Sequence, residues 1–165
     1  MTTLLVIYEA LTFILVTVVI ILLIEKNKYQ NNMKFVTEED SINFFTEQLK
    51  KSGFTNITKT DMYCPWDIEA IRDGKLYIYE LKRKRYSTQS FGDNIMEEYK
   101  LDKMLNRSEN AYLVSFYTDG WCINNVRENH DIIEKYANKT TQWGGPLVKK
   151  RFLSYKIQLI HKYDN

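Results

Sequence analysis

An apolar run from Leu4 to Ile24 constrains this chain most: 21 residues carry one charge, Glu9. As a helix it would reach roughly 31 Å, about the thickness of a bilayer's hydrocarbon core. A core helix of a soluble domain is rarely apolar for so long. A cleaved secretory signal is the competing reading, but such signals carry a basic start and a shorter apolar core. No Lys or Arg precedes this run. Residues 1–25 are therefore expected to form a transmembrane anchor, with membrane contact through residues 4–24. Lys26, Lys28 and Lys34 follow the run. The positive-inside rule then predicts a single-pass protein whose C-terminal domain is cytoplasmic. Glu9 marks either a partner helix or the interface.

Residues 26–36 are mostly polar and without periodicity, so they read as a linker. Residues 37–165 are long enough for one domain with its own core. The whole chain has 165 residues and a net charge of +2, so any nucleic-acid surface must be local. Two cysteines, Cys64 and Cys122, exclude a disulfide framework, and two histidines are too few for a His-rich zinc site.

Thr37 followed by Glu38, Glu39 and Asp40 predicts a helix start, with Ile42, Phe45 and Leu49 on its apolar face and Gly53 at its end. Strands are expected over 57–63, 66–71 and 75–82, the last two joined by Asp73-Gly74, a strong hairpin signal. A helix is expected over 93–106. A second hairpin, 111–117 with 121–126, turns over Asp119-Gly120. Residues 127–150 give no clear assignment, and 152–160 alternates as a late strand. The order predicts an α/β sheet flanked by helices.

The first hairpin carries the chemistry. With a two-residue loop, Arg72 pairs with Lys75, which sets Asp67 opposite Glu80. Like charges so placed are destabilising. Lys82 shares the face of Glu80 one step along, with Leu76 and Ile78, while Tyr77, Tyr79 and Leu81 take the other face. A strand apolar on both faces is usually central. A divalent cation resolves the conflict, because Mg²⁺ takes hard oxygen ligands and completes its shell with water and phosphate. Asp67, Glu80 and the Leu81 carbonyl are the expected ligands of Mg²⁺ or Mn²⁺. Lys82 would contact a phosphate oxygen or orient the attacking water, an arrangement suited to phosphodiester hydrolysis.

Pro65-Trp66-Asp67 followed by Glu80-Leu81-Lys82 resembles the PD-(D/E)xK nuclease superfamily, and is most like its small phage-type and Holliday-junction-resolvase-like members. The likeness covers roughly residues 37–126. It implies a restriction-endonuclease-like mixed sheet, metal ligation by Asp67 and Glu80, a catalytic Lys82, DNA as the substrate, and often a homodimer. It also implies a glutamate on the first helix. Glu39 is the candidate, with Glu38 and Glu47 as rivals. Glu97 and Lys100, expected to bind nucleic acid, match a Glu-x-x-Lys pair that some phage relatives carry on the next helix, where i,i+3 spacing would share one face.

Lys82-Arg83-Lys84-Arg85 is a dense basic run. Lys84 and Arg85 are read as phosphate contacts, with Arg83 on the opposite face; attraction to anionic lipid is the alternative. Lys149-Lys150-Arg151 either extends that surface or is a solvated loop. Trp66 is read as a packing residue rather than a base wedge. Cys64 has no histidine near it in sequence, which speaks against a Cys–His nucleophile. A nuclease-like module that binds without cutting is the alternative function.

Overall fold

Thr37 caps the helix α2 (Glu38–Lys51) by accepting from the Asp40 N–H at 3.1 Å, and the Asp40 carboxylate returns the bond to the Thr37 N–H at 2.8 Å. This reciprocal box satisfies two of the donors that every helix start exposes. The computed structural model describes residues 14–23, 35, 37–90, 93–128, 130–138, 147–157 and 159–163. Within the apolar run, residues 14–23 form a helix, α1, with exposed side chains; 4–13 and 24 lie outside the described residues, as does most of the expected linker. Among the described residues no helix is long and apolar enough to cross a membrane. Phe35, assigned to the linker by sequence, is buried against Phe44, Phe116 and Tyr163 and belongs to the domain.

The remaining elements are β1 (Thr55–Lys59), β2 (Ile68–Arg72), β3 (Lys75–Arg83), β4 (Asp93–Glu97), α3 (Tyr99–Arg107), β5 (Asn110–Phe116), β6 (Trp121–Asn125), β7 (Asp131–Asn138) and β8 (Leu147–Lys156). One sheet runs β1-β2-β3-β5-β6 and a second runs β4-β8-β7. β3 pairs antiparallel with β2 and parallel with β5, so the larger sheet is mixed. Asp73 and Gly74 take φ of +53° and +71°, as a type I′ turn requires at both central residues. That turn fixes the register Arg72–Lys75 through Ile68–Tyr79.

β3 is central, and both its faces are covered. Ile42, Phe45 and Leu49 of α2 pack on Ile68, Ala70, Tyr79, Leu81, Val114 and Phe116. On the opposite face Ile78, Ala111 and Leu113 meet Met96, Met104, Val126, Leu153 and Tyr155. Each fully buried aliphatic side chain here contributes roughly 2 kcal/mol through removal from water. The alternation read from the sequence of β3 is the one found.

Two segments correct the sequence reading. Residues 93–106 are not one helix: 93–97 is strand β4, and α3 begins at Tyr99. The cause is tertiary. Asn94 and Met96 are buried, and Asn94 Nδ2 donates to Asn124 Oδ1 at 3.1 Å while Ser115 Oγ donates to Asn94 Oδ1. Residues 127–150, unassigned by sequence, contain β7 and the first part of β8. β8 ends at Lys156, earlier than the expected 160.

Candidate active site

The site forms where β2 stops and β3 continues. The β2–β3 ladder ends at Ile68–Tyr79, so Asp67 stands just outside the strand and does not enter the expected backbone pair with Glu80. The Asp67 N–H donates to Tyr79 O at 2.8 Å, and its carbonyl accepts from Thr60 N–H at 3.0 Å. Its Oδ2 accepts from the Leu81 N–H at 2.6 Å, taking the place of the missing strand. Strand alternation turns the Leu81 carbonyl to the same edge as its N–H. Beside that edge lies a cavity of about 440 Å³, lined by Asp67, Glu80, Leu81, Lys82, Arg83 and Lys100 among others.

Glu80 is 2% exposed. Its Oε1 receives Lys82 Nζ at 2.7 Å and Lys100 Nζ at 2.5 Å. Lys82 Nζ also lies 3.4 Å from Glu97 Oε2. A buried carboxylate thus holds two ammonium groups from different elements, one on β3 and one on α3.

The electrostatics follow from this crowding. Burial, then the charge of Glu80, pushes Asp67 from its ordinary 3.8 up to about 6, against the opposing pull of the Leu81 N–H and the two lysines. Burial alone would lower Lys82, but Glu80 and Glu97 outweigh it and hold the ammonium above its ordinary range. Burial likewise works to raise Glu97, and Lys82 overrides it, so that carboxyl stays below its usual value.

The structure brings Asp67, Glu80, Leu81, Lys82 and Lys100 together. Glu97 joins them from the end of β4, not from a helix shared with Lys100. Glu39 does not line the cavity; its carboxylate pairs with Lys59 at 2.5 Å. Glu38 lines it instead. The signal was available: stepping back four residues from Ile42 along the Ile42, Phe45, Leu49 stripe reaches Glu38. Glu47 pairs with Lys50 at 2.7 Å on the exposed surface. Lys84 is half-buried and Arg85 exposed, and neither lines the cavity, whereas Arg83, which sequence placed on the opposite face, does. Trp66 packs against the second core cluster, and its indole N–H donates to Glu69 at 3.1 Å, as a packing residue does.

Among the described residues no group of three or more His, Cys, Asp and Glu side chains is placed to hold a metal ion. The donor set here is a carboxylate pair plus a backbone carbonyl. Its chemistry fits Mg²⁺ or Mn²⁺, which need only one or two protein carboxylates. Burial first, and then the charge of Glu80, disfavours the ionised form of Asp67, and a divalent cation would offset both.

No family model matches the chain, and no curated protein matches it. Among solved structures, the chain is similar to Hjc, a Holliday junction resolvase from Archaeoglobus fulgidus. Identity is 12% and the TM-score 0.44, over 69% of this chain and 79% of that one.

Proposed function

We propose that this chain is a metal-dependent nuclease that hydrolyses phosphodiester bonds of DNA at the point where β2 releases the edge of β3. One observation carries the reading: a buried carboxylate, Glu80, and a half-buried one, Asp67, stand beside the Leu81 edge with Lys82 on the face of Glu80. Folding stability alone does not favour such a pair. Asp67, Glu80 and the Leu81 carbonyl would hold Mg²⁺ or Mn²⁺, which supplies Lewis-acid activation of the phosphoryl group and the attacking water. Lys82 carries its proton on Nζ throughout the neutral range, so it serves as a donor to a phosphate oxygen and not as a base. Lys100 shares the charge of Glu80 and offers a second donor.

The reading extends to the membrane. Residues 4–24 would anchor the enzyme, with the domain on the cytoplasmic side. The apolar sequence supports this, as do the exposed apolar side chains of residues 14–23. Sedimentation of the full chain with membranes after alkaline extraction is the expected result, and a freely soluble chain would remove the anchor.

The test of the activity is cleavage of duplex, flapped and four-way-junction DNA by the full chain with Mg²⁺ or Mn²⁺. Cutting that disappears with chelator and in Asp67→Asn supports the reading. Binding without cutting under every metal condition supports the second reading, a nuclease-like binding module. That alternative is favoured by one feature: Glu80 is already neutralised by two ammonium groups.

A further inference from the structure

The hairpin of β7 and β8 runs beyond β4, because β4 pairs only with residues 152–156 of β8. From Glu134–Arg151 outward the two strands pair with each other alone, as a ribbon. Its two faces differ in charge. On one, Glu134 pairs with Lys149, and Arg151 reaches Glu98 at 3.2 Å, so cations are matched by acids. On the other, Lys135 stands directly opposite Lys150. Like charges directly opposite are destabilising. Among the described residues neither lysine makes an ion pair.

Register shows where that second face leads. Glu97, Phe152 and Ile133 form one row across the second sheet, and Lys150 and Lys135 form the row two residues along, roughly 7 Å away on the same face. Glu97 is the residue that meets Lys82. Lys84, on the same face of the extended β3 segment as Lys82, makes no ion pair among the described residues although it is half-buried. Burial, then the charge of Lys82, brings it down to about 8, with Glu97 pulling the other way and Lys135 adding to the fall. The acids of this face offset the group only in part: Glu97, engaged by Lys82, also favours the Lys84 ammonium, and Asp131 lies two rows from Lys135 on the side away from the Asn138–Leu147 end.

We propose that Lys84, Lys135 and Lys150 form a phosphate-binding track that carries a nucleic-acid backbone from Lys82 along the β7–β8 ribbon. The identity of the polyanion rests on the nuclease reading; the cationic track does not. A lipid headgroup layer fits less well, because Lys84 is recessed where a flat membrane surface does not reach and a strand of linked phosphates does.

The test is binding of a dye-labelled DNA duplex to the full chain, followed by anisotropy with chelator present, across roughly 50–200 mM KCl. Each phosphate contact contributes about 0.9 to the slope of log affinity against log salt. Lys135→Gln and Lys150→Gln are each expected to lower the slope by about that amount, and their combination by about twice as much. Lys84→Gln should act likewise. Lys149→Gln, on the acid-matched face, should leave the slope unchanged. Unchanged slopes in the Lys135 and Lys150 variants overturn the proposal, and so does an equal loss in Lys149→Gln. Reduced capture by anionic phosphatidylglycerol vesicles, with duplex binding intact, overturns it in favour of lipid. Slope loss in a chain that never cuts DNA would sink the nuclease reading and leave the track standing. Cutting with unchanged slopes would do the reverse.

Discussion

Replacing Asp67 with Asn should make the metal-free protein more stable while abolishing its activity. The substitution is nearly isosteric, and the amide oxygen still accepts from the Leu81 N–H, so the edge of β3 stays capped. What it removes is a charge that the fold disfavours. The folded pKa of Asp67, about 6, lies above its ordinary 3.8. Between those values the folded state binds more protons than the unfolded state, so stability falls as pH rises across that window and is level on either side. At about 1.4 kcal/mol per tenfold change in proton affinity, the interval corresponds to roughly 3 kcal/mol at most. The gain from the variant is therefore roughly 2–3 kcal/mol at about pH 7.5, vanishing below about pH 4. For a chain of this size each kcal/mol moves the midpoint by roughly 3 °C. Thermal melting by circular dichroism with chelator present should show Asp67→Asn melting several degrees above the wild type at neutral pH and level with it in acid. A variant that melts lower at neutral pH, or whose advantage does not change with pH, would refute the claim that burial and the Glu80 charge disfavour an ionised Asp67 there.

Three further outcomes follow from the same geometry. Glu80→Ala should unfold at markedly lower denaturant, by roughly 3–5 kcal/mol in urea titration, because Lys82 and Lys100 lose the buried carboxylate they share. Lys82→Ala should lower kcat by roughly 10²–10³-fold with DNA affinity nearly retained, read by single-turnover cleavage, since one donor to developing charge is removed. Asn94→Leu should cost roughly 1–3 kcal/mol, read by chemical denaturation, because Ser115 and Asn124 lose their buried partner.

Short-range signals were the legible ones. The box at Thr37 and the turn at Asp73-Gly74 involve residues within a few positions of one another, and both elements stand where the sequence puts them. The register set by that turn was enough to bring Asp67, Glu80 and Lys82 to one end of the hairpin. The strand β4 was not legible, because what makes Asp93–Glu97 extended is pairing with β8 and the burial of Asn94 against Ser115 and Asn124, all distant in sequence. The same holds for β7, whose partner is also β8. At the site, Lys100 was assigned to nucleic acid because helix spacing says nothing about which strand the helix lies over; its place on Glu80 is a property of the packing of α3 against the sheet. Residue type does not separate Glu38 from Glu39; helix phase counted back from Ile42 does, and it points to Glu38.

The grip of two lysines on one oxygen of Glu80 makes the resting site an internal salt, and this ties its two expected ligands together. A cation approaching Glu80 competes with ammonium groups already in place. A polyanion that draws Lys82 or Lys100 toward its phosphates releases that carboxylate, so each ligand lowers the work of binding the other. Linkage requires the effect to be mutual: whatever factor DNA adds to metal affinity, metal adds to DNA affinity. Couplings of this kind typically amount to about 1–3 kcal/mol, or roughly 5–150-fold. On the nuclease reading, a chain built this way would load metal weakly by itself and tightly on its substrate, which would confine the hydrolytic state to the complex.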